Sequence, residues 1–169
     1  MRFLIILIFL ISNSFADEGI DIKNLIINKE LKKYDSLTFL DAKNKELKLD
    51  DFKGNLILLN FWATWCAPCK KEMPSLDLLQ VNENLKNIKI FPINVGQDKI
   101  DNAISFYNDL KIKNLELYFD SPTTLAKKFQ LRGLPTSILF NKEGKEFARI
   151  VGSINFEDKK FIKWLSNYD

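Results

Sequence analysis

The chain has 169 residues and a formal net charge of +3, with 25 basic residues scattered among 22 acidic ones. This length suits one compact domain, and so small a net charge without a basic stripe argues against nucleic acid as a partner. The sequence contains no histidine, so the commonest metal ligand and the commonest general base are both excluded.

The first 16 residues predict a secretory signal peptide. Arg2 precedes an unbroken apolar run over residues 3–11, and Ser14 and Ala16 occupy the two small-residue positions of a signal-peptidase site. The apolar run is far shorter than the roughly 20 residues that a membrane-spanning helix needs. We therefore expect cleavage after Ala16 and export to the periplasm, with a retained membrane anchor as the alternative.

Residues 17–35 are polar with small apolar clusters, which indicates a leader, and residues 36–169 predict the folded domain. This domain is expected to begin with a β-hairpin whose strands cover residues 37–40 and 46–49. The apolar run over residues 56–62 then predicts a strand that is buried on both faces.

Helices and strands alternate in the rest of the chain. Pro92 is expected to cause a bulge or to occupy a free N–H position in its strand, because proline cannot donate to a ladder. A helix is expected from Cys66 to about Leu85, with Pro74 inside it, followed by a strand over 89–95 and a helix over 101–110 whose residues Ile104, Tyr107 and Leu110 face inward. A short strand over 115–119 and a helix that Ser121 caps and Pro122 begins are expected next. The chain is then expected to end with a hairpin of strands over 136–141 and 146–151 and a last helix that Asn155 caps. This order predicts an α/β fold with a central mixed sheet flanked by helices.

The two cysteines of the chain, Cys66 and Cys69, lie where the buried strand ends and a helix begins. Free N–H groups and the helix dipole stabilise a thiolate at such a position, and the thiolate is the nucleophile. Cys66 is therefore expected at the exposed helix cap as the attacking sulfur, and Cys69, one turn inside, as the resolving one. Pro68 suits the first turn of the helix.

Two other roles for the cysteine pair remain open on spacing alone. A zinc site needs about four ligands, so it would have to recruit the cysteines of a second chain. A purely structural disulfide across so short a loop would constrain the unfolded chain very little.

The run NFWATWCAPCKKEMP over residues 60–74 resembles the thioredoxin superfamily, and in particular the TlpA/ResA branch of bacterial extracytoplasmic thiol reductases. The run GLPTS over residues 133–137 resembles the loop that holds the cis-proline of this family, and residues 106–120 resemble the TlpA insertion. The resemblance extends from about Leu37 to Leu165. It implies a thioredoxin-like fold with an N-terminal β-hairpin extension.

The resemblance also implies roles for individual residues. Pro135 would be cis and would face the disulfide, and Trp65 would pack by the cysteine pair. Glu72 would handle protons for Cys69, since Asn60 stands where thioredoxin carries an aspartate; an ordinary surface glutamate is the alternative. The expected substrate-binding residues are Trp65, Ala67, Pro68, Leu134 and Pro135.

As a function, the resemblance implies a periplasmic dithiol reductase for the assembly of respiratory metalloproteins, first the copper centre of a terminal oxidase and second cytochrome c. Client protein thiols or disulfides and a membrane electron-donor protein would be its partners. The protein is expected to act as a monomer, with no metal and no cofactor except the redox-active disulfide Cys66–Cys69.

Three other functions use the same thiols. A disulfide-forming oxidant would run the exchange in the opposite direction. A Cu(I) metallochaperone would bind the soft metal through both sulfurs. A peroxidase is less well supported, because its pattern needs a Thr or Ser three places before the cysteine, and Thr64 is two places before Cys66.

Overall fold

The computed structural model describes residues 22–169, so the predicted signal peptide lies outside the described residues. The strands are β1 Leu25–Lys32, β2 Thr38–Asp41, β3 Glu46–Lys48, β4 Leu56–Trp62, β5 Ile88–Asn94, β6 Tyr118–Phe119, β7 Thr136–Phe140 and β8 Glu146–Val151. The helices are α1 Ala67–Leu79, α2 Ile100–Leu110, α3 Thr124–Lys128 and α4 Lys159–Leu165. Over residues 22–169 the strands form a single sheet in the order β1-β8-β7-β4-β5-β6-β2-β3.

Strand β4 is the centre of the sheet and is buried along its whole length, as the apolar run predicts. It pairs in parallel with β5 and antiparallel with β7, so the predicted mixed sheet is confirmed. Its side chains alternate between two cores, and each fully buried Leu, Ile or Phe contributes about 1.5–3 kcal/mol. One core contains Leu56, Leu58 and Trp62 with residues of α1, α2 and α4, and the other contains Ile57, Leu59 and Phe61 with residues of α3.

The predicted hairpin is confirmed as β2 and β3, which pair antiparallel. Strand β2 also pairs with β6, so the hairpin extends the sheet at the edge next to β5. Of the two possibilities expected at Pro92, the bulge is absent from the β4–β5 ladder, where the register runs without a shift through the pair Asn60 and Pro92.

The segment predicted as a leader contains a strand of the sheet, which corrects that prediction. Strand β1 pairs antiparallel with β8 and forms the other edge of the sheet. Tyr34 and Asn28 then donate hydrogen bonds of 2.6 and 2.9 Å to the buried carboxylate of Glu146. A domain boundary at residue 36 therefore separates residues that fold together.

Helix α1 ends six residues before the expected end, at Leu79, with Pro74 inside it. Helix α2 buries Ala103, Phe106 and Tyr107, whereas Ile104 is 43% exposed, so the inward position predicted for Ile104 is wrong. No helix within residues 22–169 combines the length and the apolar composition that a bilayer crossing requires.

Two predicted helix caps are also wrong. The carboxylate of Asp120 accepts hydrogen bonds from the backbone N–H groups of Thr124, Leu125 and Ala126, so Asp120 takes the capping role expected of Ser121 at the start of α3. At the start of α4, Asp158 is the N-cap and Asn155 lies in the preceding turn. A carboxylate can accept several N–H groups at once, which a single hydroxyl or amide oxygen does less well.

Candidate active site

The two cysteines lie at the start of α1, directly after the loop that follows β4. They form a disulfide with a Cα–Cα distance of 5.3 Å. Cys66 is the N-cap of the helix, and its sulfur accepts a hydrogen bond of 3.2 Å from the backbone N–H of Cys69. The same N–H would stabilise a thiolate on Cys66 once the disulfide is reduced.

The two cysteines differ slightly in exposure. Cys66 is 5% exposed and Cys69 is completely buried. Cys66 is therefore buried, not exposed as predicted, and it keeps only slightly more exposed surface than Cys69. What exposed surface the pair has belongs to Cys66, which is the order that a nucleophilic and a resolving cysteine need.

The surface around Cys66 is formed by three neighbours in sequence. Ala67 and Pro68 are exposed in the first turn of α1. Trp65 is 70% exposed, so it lies at the rim of the site with most of its surface open to solvent. A large exposed aromatic side chain beside a reactive sulfur offers apolar contact area to a partner polypeptide.

The loop before β7 forms the other side of the site. Thr136 pairs with Phe61, which places Pro135 beside the end of β4 and near the loop that leads to Cys66. The Leu134–Pro135 bond is cis, as the resemblance implies. Pro135 is buried, and Leu134 is partly buried against the core that contains both cysteines.

Glu72 is a buried carboxyl on the same helix, one turn after Cys69. It is 2% exposed, so the interpretation as an ordinary surface glutamate is wrong. Its Oε1 accepts a hydrogen bond of 2.8 Å from the side-chain amide of Asn60, and its Oε2 accepts one of 3.2 Å from the backbone N–H of Ile154. Burial raises the pKa of Glu72 to about 7, against the opposing effect of these hydrogen bonds.

Such a carboxyl is partly protonated near neutral pH, so it can accept or release a proton without a large free-energy change. Asn60 links Glu72 to β7, because the same amide group donates a hydrogen bond of 3.0 Å to the hydroxyl of Ser137, the residue paired with Asn60 across the two strands. The Oδ1 atom of Asn60 has no hydrogen-bond partner among residues 22–169. The motif named Asn60 and Glu72 but did not indicate that Ser137 and Ile154 complete this cluster.

No sequence pattern predicted the contact that holds the loop before Cys66. Asp98, in the loop after β5, accepts hydrogen bonds from both the backbone N–H and the hydroxyl of Thr64. The two residues are 34 positions apart, and no motif connects them. The order of the predicted elements could have indicated this contact: because β4 and β5 are parallel, they end at the same edge of the sheet, and the loops that follow them lie close together.

A disulfide at the N-terminus of the helix that follows the central strand of a mixed sheet is the site of a thiol–disulfide oxidoreductase with a thioredoxin-like fold. The chain belongs to the AhpC/TSA family, which it matches over residues 26–145. A thiol-disulfide oxidoreductase ResA from Bacillus cereus is 33% identical to it over 140 residues, which cover 82% of this chain and 75% of the relative.

Solved structures agree with this assignment. The pneumococcal exposed lipoprotein thioredoxin from Streptococcus pneumoniae superposes with a TM-score of 0.66 at 25% identity, over 79% of this chain and 99% of that one. A secreted thiol-disulfide isomerase from Corynebacterium glutamicum superposes with a TM-score of 0.71 at 22% identity, over 87% of this chain and 94% of that one. These structures confirm the predicted fold, and the ResA relative confirms the predicted general activity.

Proposed function

We propose that this oxidoreductase is a periplasmic dithiol reductase of protein disulfides. The observation that carries the proposal is the position of the two cysteines at the start of α1, where Cys66 is the N-cap and keeps 5% of its surface exposed, whereas Cys69 is completely buried. The disulfide serves as the redox centre, without a metal or a further cofactor.

The exchange takes place in two displacements. The thiolate of Cys66 attacks one sulfur of the client disulfide; a mixed disulfide forms, and the other client sulfur leaves as a thiolate that takes up a proton. The thiol of Cys69 then loses its proton and attacks Cys66, which breaks the mixed disulfide and releases the second client thiol. Two electrons pass from the protein to the client, and the protein keeps the Cys66–Cys69 disulfide.

We assign to Glu72 the transfer of the proton that Cys69 loses. It follows Cys69 by three residues on α1, so both side chains lie on one side of the helix. Its raised pKa suits a group that accepts a proton in one displacement and returns it afterwards. A cavity of about 700 Å³, lined by Ser75, Ser153 and Ile154, adjoins Ile154, the hydrogen-bond partner of Glu72.

The location and the clients rest on other observations. The signal peptide predicted over residues 1–16 and the likeness to a lipoprotein described as exposed support a site outside the cytoplasm. The resemblance to the TlpA/ResA branch supports clients in respiratory metalloprotein assembly, either the copper centre of an oxidase or cytochrome c. A membrane electron-donor protein would return the disulfide to the dithiol after each cycle.

The reduction potential of the Cys66–Cys69 pair tests the direction of the exchange. A value near or below about −270 mV, that of thioredoxin, is expected in redox buffers and supports a reductase. A value near about −120 mV, that of a strong oxidant, would assign disulfide formation instead. Cys66→Ala is the control, because it cannot form the disulfide.

A trapping experiment tests the two cysteine roles. Cys69→Ala should accumulate a mixed disulfide with apocytochrome c or with a copper-centre domain whose cysteines are oxidised, because no sulfur remains to resolve it. Cys66→Ala should not accumulate one, since the remaining Cys69 has no exposed surface at all. Accumulation with Cys66→Ala and none with Cys69→Ala would reverse the assignment.

A further inference from the structure

The loop between β4 and Cys66 is fastened to the loop that follows β5. Three hydrogen bonds converge on the carboxylate of Asp98. Its Oδ2 accepts a hydrogen bond of 3.0 Å from the backbone N–H of Thr64 and one of 2.7 Å from the side-chain amide of Asn94. Its Oδ1 accepts a hydrogen bond of 2.7 Å from the Thr64 hydroxyl. Both oxygens are therefore used, and two of the three bonds go to the residue that stands two places before Cys66.

Asp98 is ionised at neutral pH. Partial burial by itself would raise its pKa, but the hydrogen bonds from Thr64 and Asn94 outweigh this effect and hold the pKa below its usual range. Hydrogen bonds to a charged acceptor are roughly twice as strong as those between neutral groups. The contact is therefore a firm attachment between the two loops.

Gly96 shows how closely the two loops approach each other. A Cβ atom at this position would lie 2.8 Å from the Cβ of Ala63, 2.8 Å from Asp98 Oδ2 and 3.1 Å from Trp65 Nε1. The indole of Trp65 thus rests with its nitrogen edge near the backbone of the loop that carries Asp98. Holding this loop in place also fixes one edge of the exposed indole.

Cys66 has separate anchors of its own. Its sulfur accepts from the N–H of Cys69, its carbonyl oxygen accepts from the N–H of Lys70, and its N–H donates to the carbonyl of Ala63. The sulfur is therefore held mainly by α1. The indole of Trp65 is mostly exposed, and its position depends on the backbone of Thr64 and on contact with the loop at Gly96.

We propose that Asp98 is a positioning residue for client docking: by fixing Thr64, it holds the Trp65 indole in the orientation that a client polypeptide contacts while Cys66 attacks. The inference rests on the proposed function, in which Cys66 is the attacking sulfur. It assigns to Asp98 an effect on large disulfide substrates and none on small ones, because a small disulfide reaches Cys66 without contacting the rim.

The test compares rates of mixed-disulfide formation in reduced Cys69→Ala protein, with and without Asp98→Ala. The two probes are insulin, whose disulfides belong to a folded polypeptide, and cystine, which is a free amino-acid disulfide. We expect the second-order rate constant with insulin to fall by roughly tenfold, since misplacing a contact group by about 1 Å can cost up to a hundredfold. The rate constant with cystine should stay within a factor of about two, as the anchors of Cys66 are untouched.

Matched variants separate positioning from general destabilisation. Thr64→Val, which loses the hydroxyl, should slow the insulin reaction, and Thr64→Ser, which keeps it, should restore the rate. Asp101→Ala removes an exposed carboxylate in the first turn of α2 and should leave both rates unchanged, which excludes a simple charge effect. Amide hydrogen exchange of Thr64 should become faster in Asp98→Ala.

Three outcomes overturn the inference: an insulin rate equal to that of the parent, an equal loss with both probes, or no rescue by Thr64→Ser. Absence of any reaction in the Cys69→Ala parent has a different meaning. It would refute the attacking role of Cys66, and the inference about Asp98 would be refuted with it.

Discussion

Replacing Glu72 by glutamine should make the oxidised protein more stable at alkaline pH than the wild type. The glutamine oxygen can still accept from the N–H of Ile154, and its NH₂ group would face the amide of Asn60. Asn60 can turn by 180°, which brings its Oδ1, now without a partner among residues 22–169, into position to accept from the new amide and from Ser137. The same rotation places the NH₂ group of Asn60 where Oδ1 now lies, so the variant exchanges one buried group without a partner for another, at a cost that does not depend on pH.

The size of the effect follows from the pKa of Glu72, which burial raises from 4.5 to about 7 in the folded protein. Between these two pH values the folded state binds a proton that the unfolded state has released, so stability falls as pH rises and levels off above about 7. Since one pKa unit corresponds to about 1.4 kcal/mol, the wild type loses about 3 kcal/mol across this window. Glutamine does not titrate and avoids this loss.

The assay is guanidinium chloride denaturation of the oxidised wild type and Glu72→Gln at pH 4.5 and pH 8, the lower value being that of an unperturbed glutamate. The difference in unfolding free energy between the two proteins should shift by about 3 kcal/mol in favour of the variant at the higher pH. A shift below about 1 kcal/mol, less than one pKa unit, would refute the argument that burial keeps this carboxyl protonated.

Trp65→Ala should leave the unfolding free energy within about 0.5 kcal/mol, because the side chain is largely exposed, while the rate of mixed-disulfide formation with insulin falls; an unchanged rate would remove Trp65 from the docking surface. Glu146→Ala should cost about 3–5 kcal/mol in denaturation, since it leaves the guanidinium of Arg149, now 2.7 Å from the carboxylate, without its buried partner; a loss under about 1 kcal/mol contradicts this. Asp120→Ala should cost about 1–2 kcal/mol, because three N–H groups at the start of α3 lose their acceptor; an unaltered melting temperature would show that solvent replaces it.

Local sequence was a good guide to elements that lie inside the molecule and a poor one at the edges. The all-apolar run of β4 predicts its burial because every position faces a core. Strand β1 has no such pattern, since it is an edge strand on which Ile26, Ile27 and Leu31 remain exposed. It forms because β8 offers a partner, and that information lies more than a hundred residues further along the chain.

The candidate site divides in the same way. The cysteine pair at a helix start and the proline loop are visible in short motifs, since their chemistry depends on neighbours in sequence. Glu72 stands in the polar run KKE and has the pattern of a surface residue. Its burial is decided by the segment that follows β8, whose Ile154 N–H caps the carboxylate from 82 positions away.

The sequence by itself therefore determined the class of fold, the order of most elements and the reacting atoms, because apolar periodicity and the spacing of the cysteines are local properties. Tertiary structure alone decided which groups surround those atoms. Asp98 reaches Thr64 and Ser137 reaches Asn60 only because parallel and antiparallel neighbours of β4 bring distant loops and residues together at the sheet. A hydrogen bond acts over about 3 Å, so its partners are set by where the backbone places them, whatever their separation in sequence.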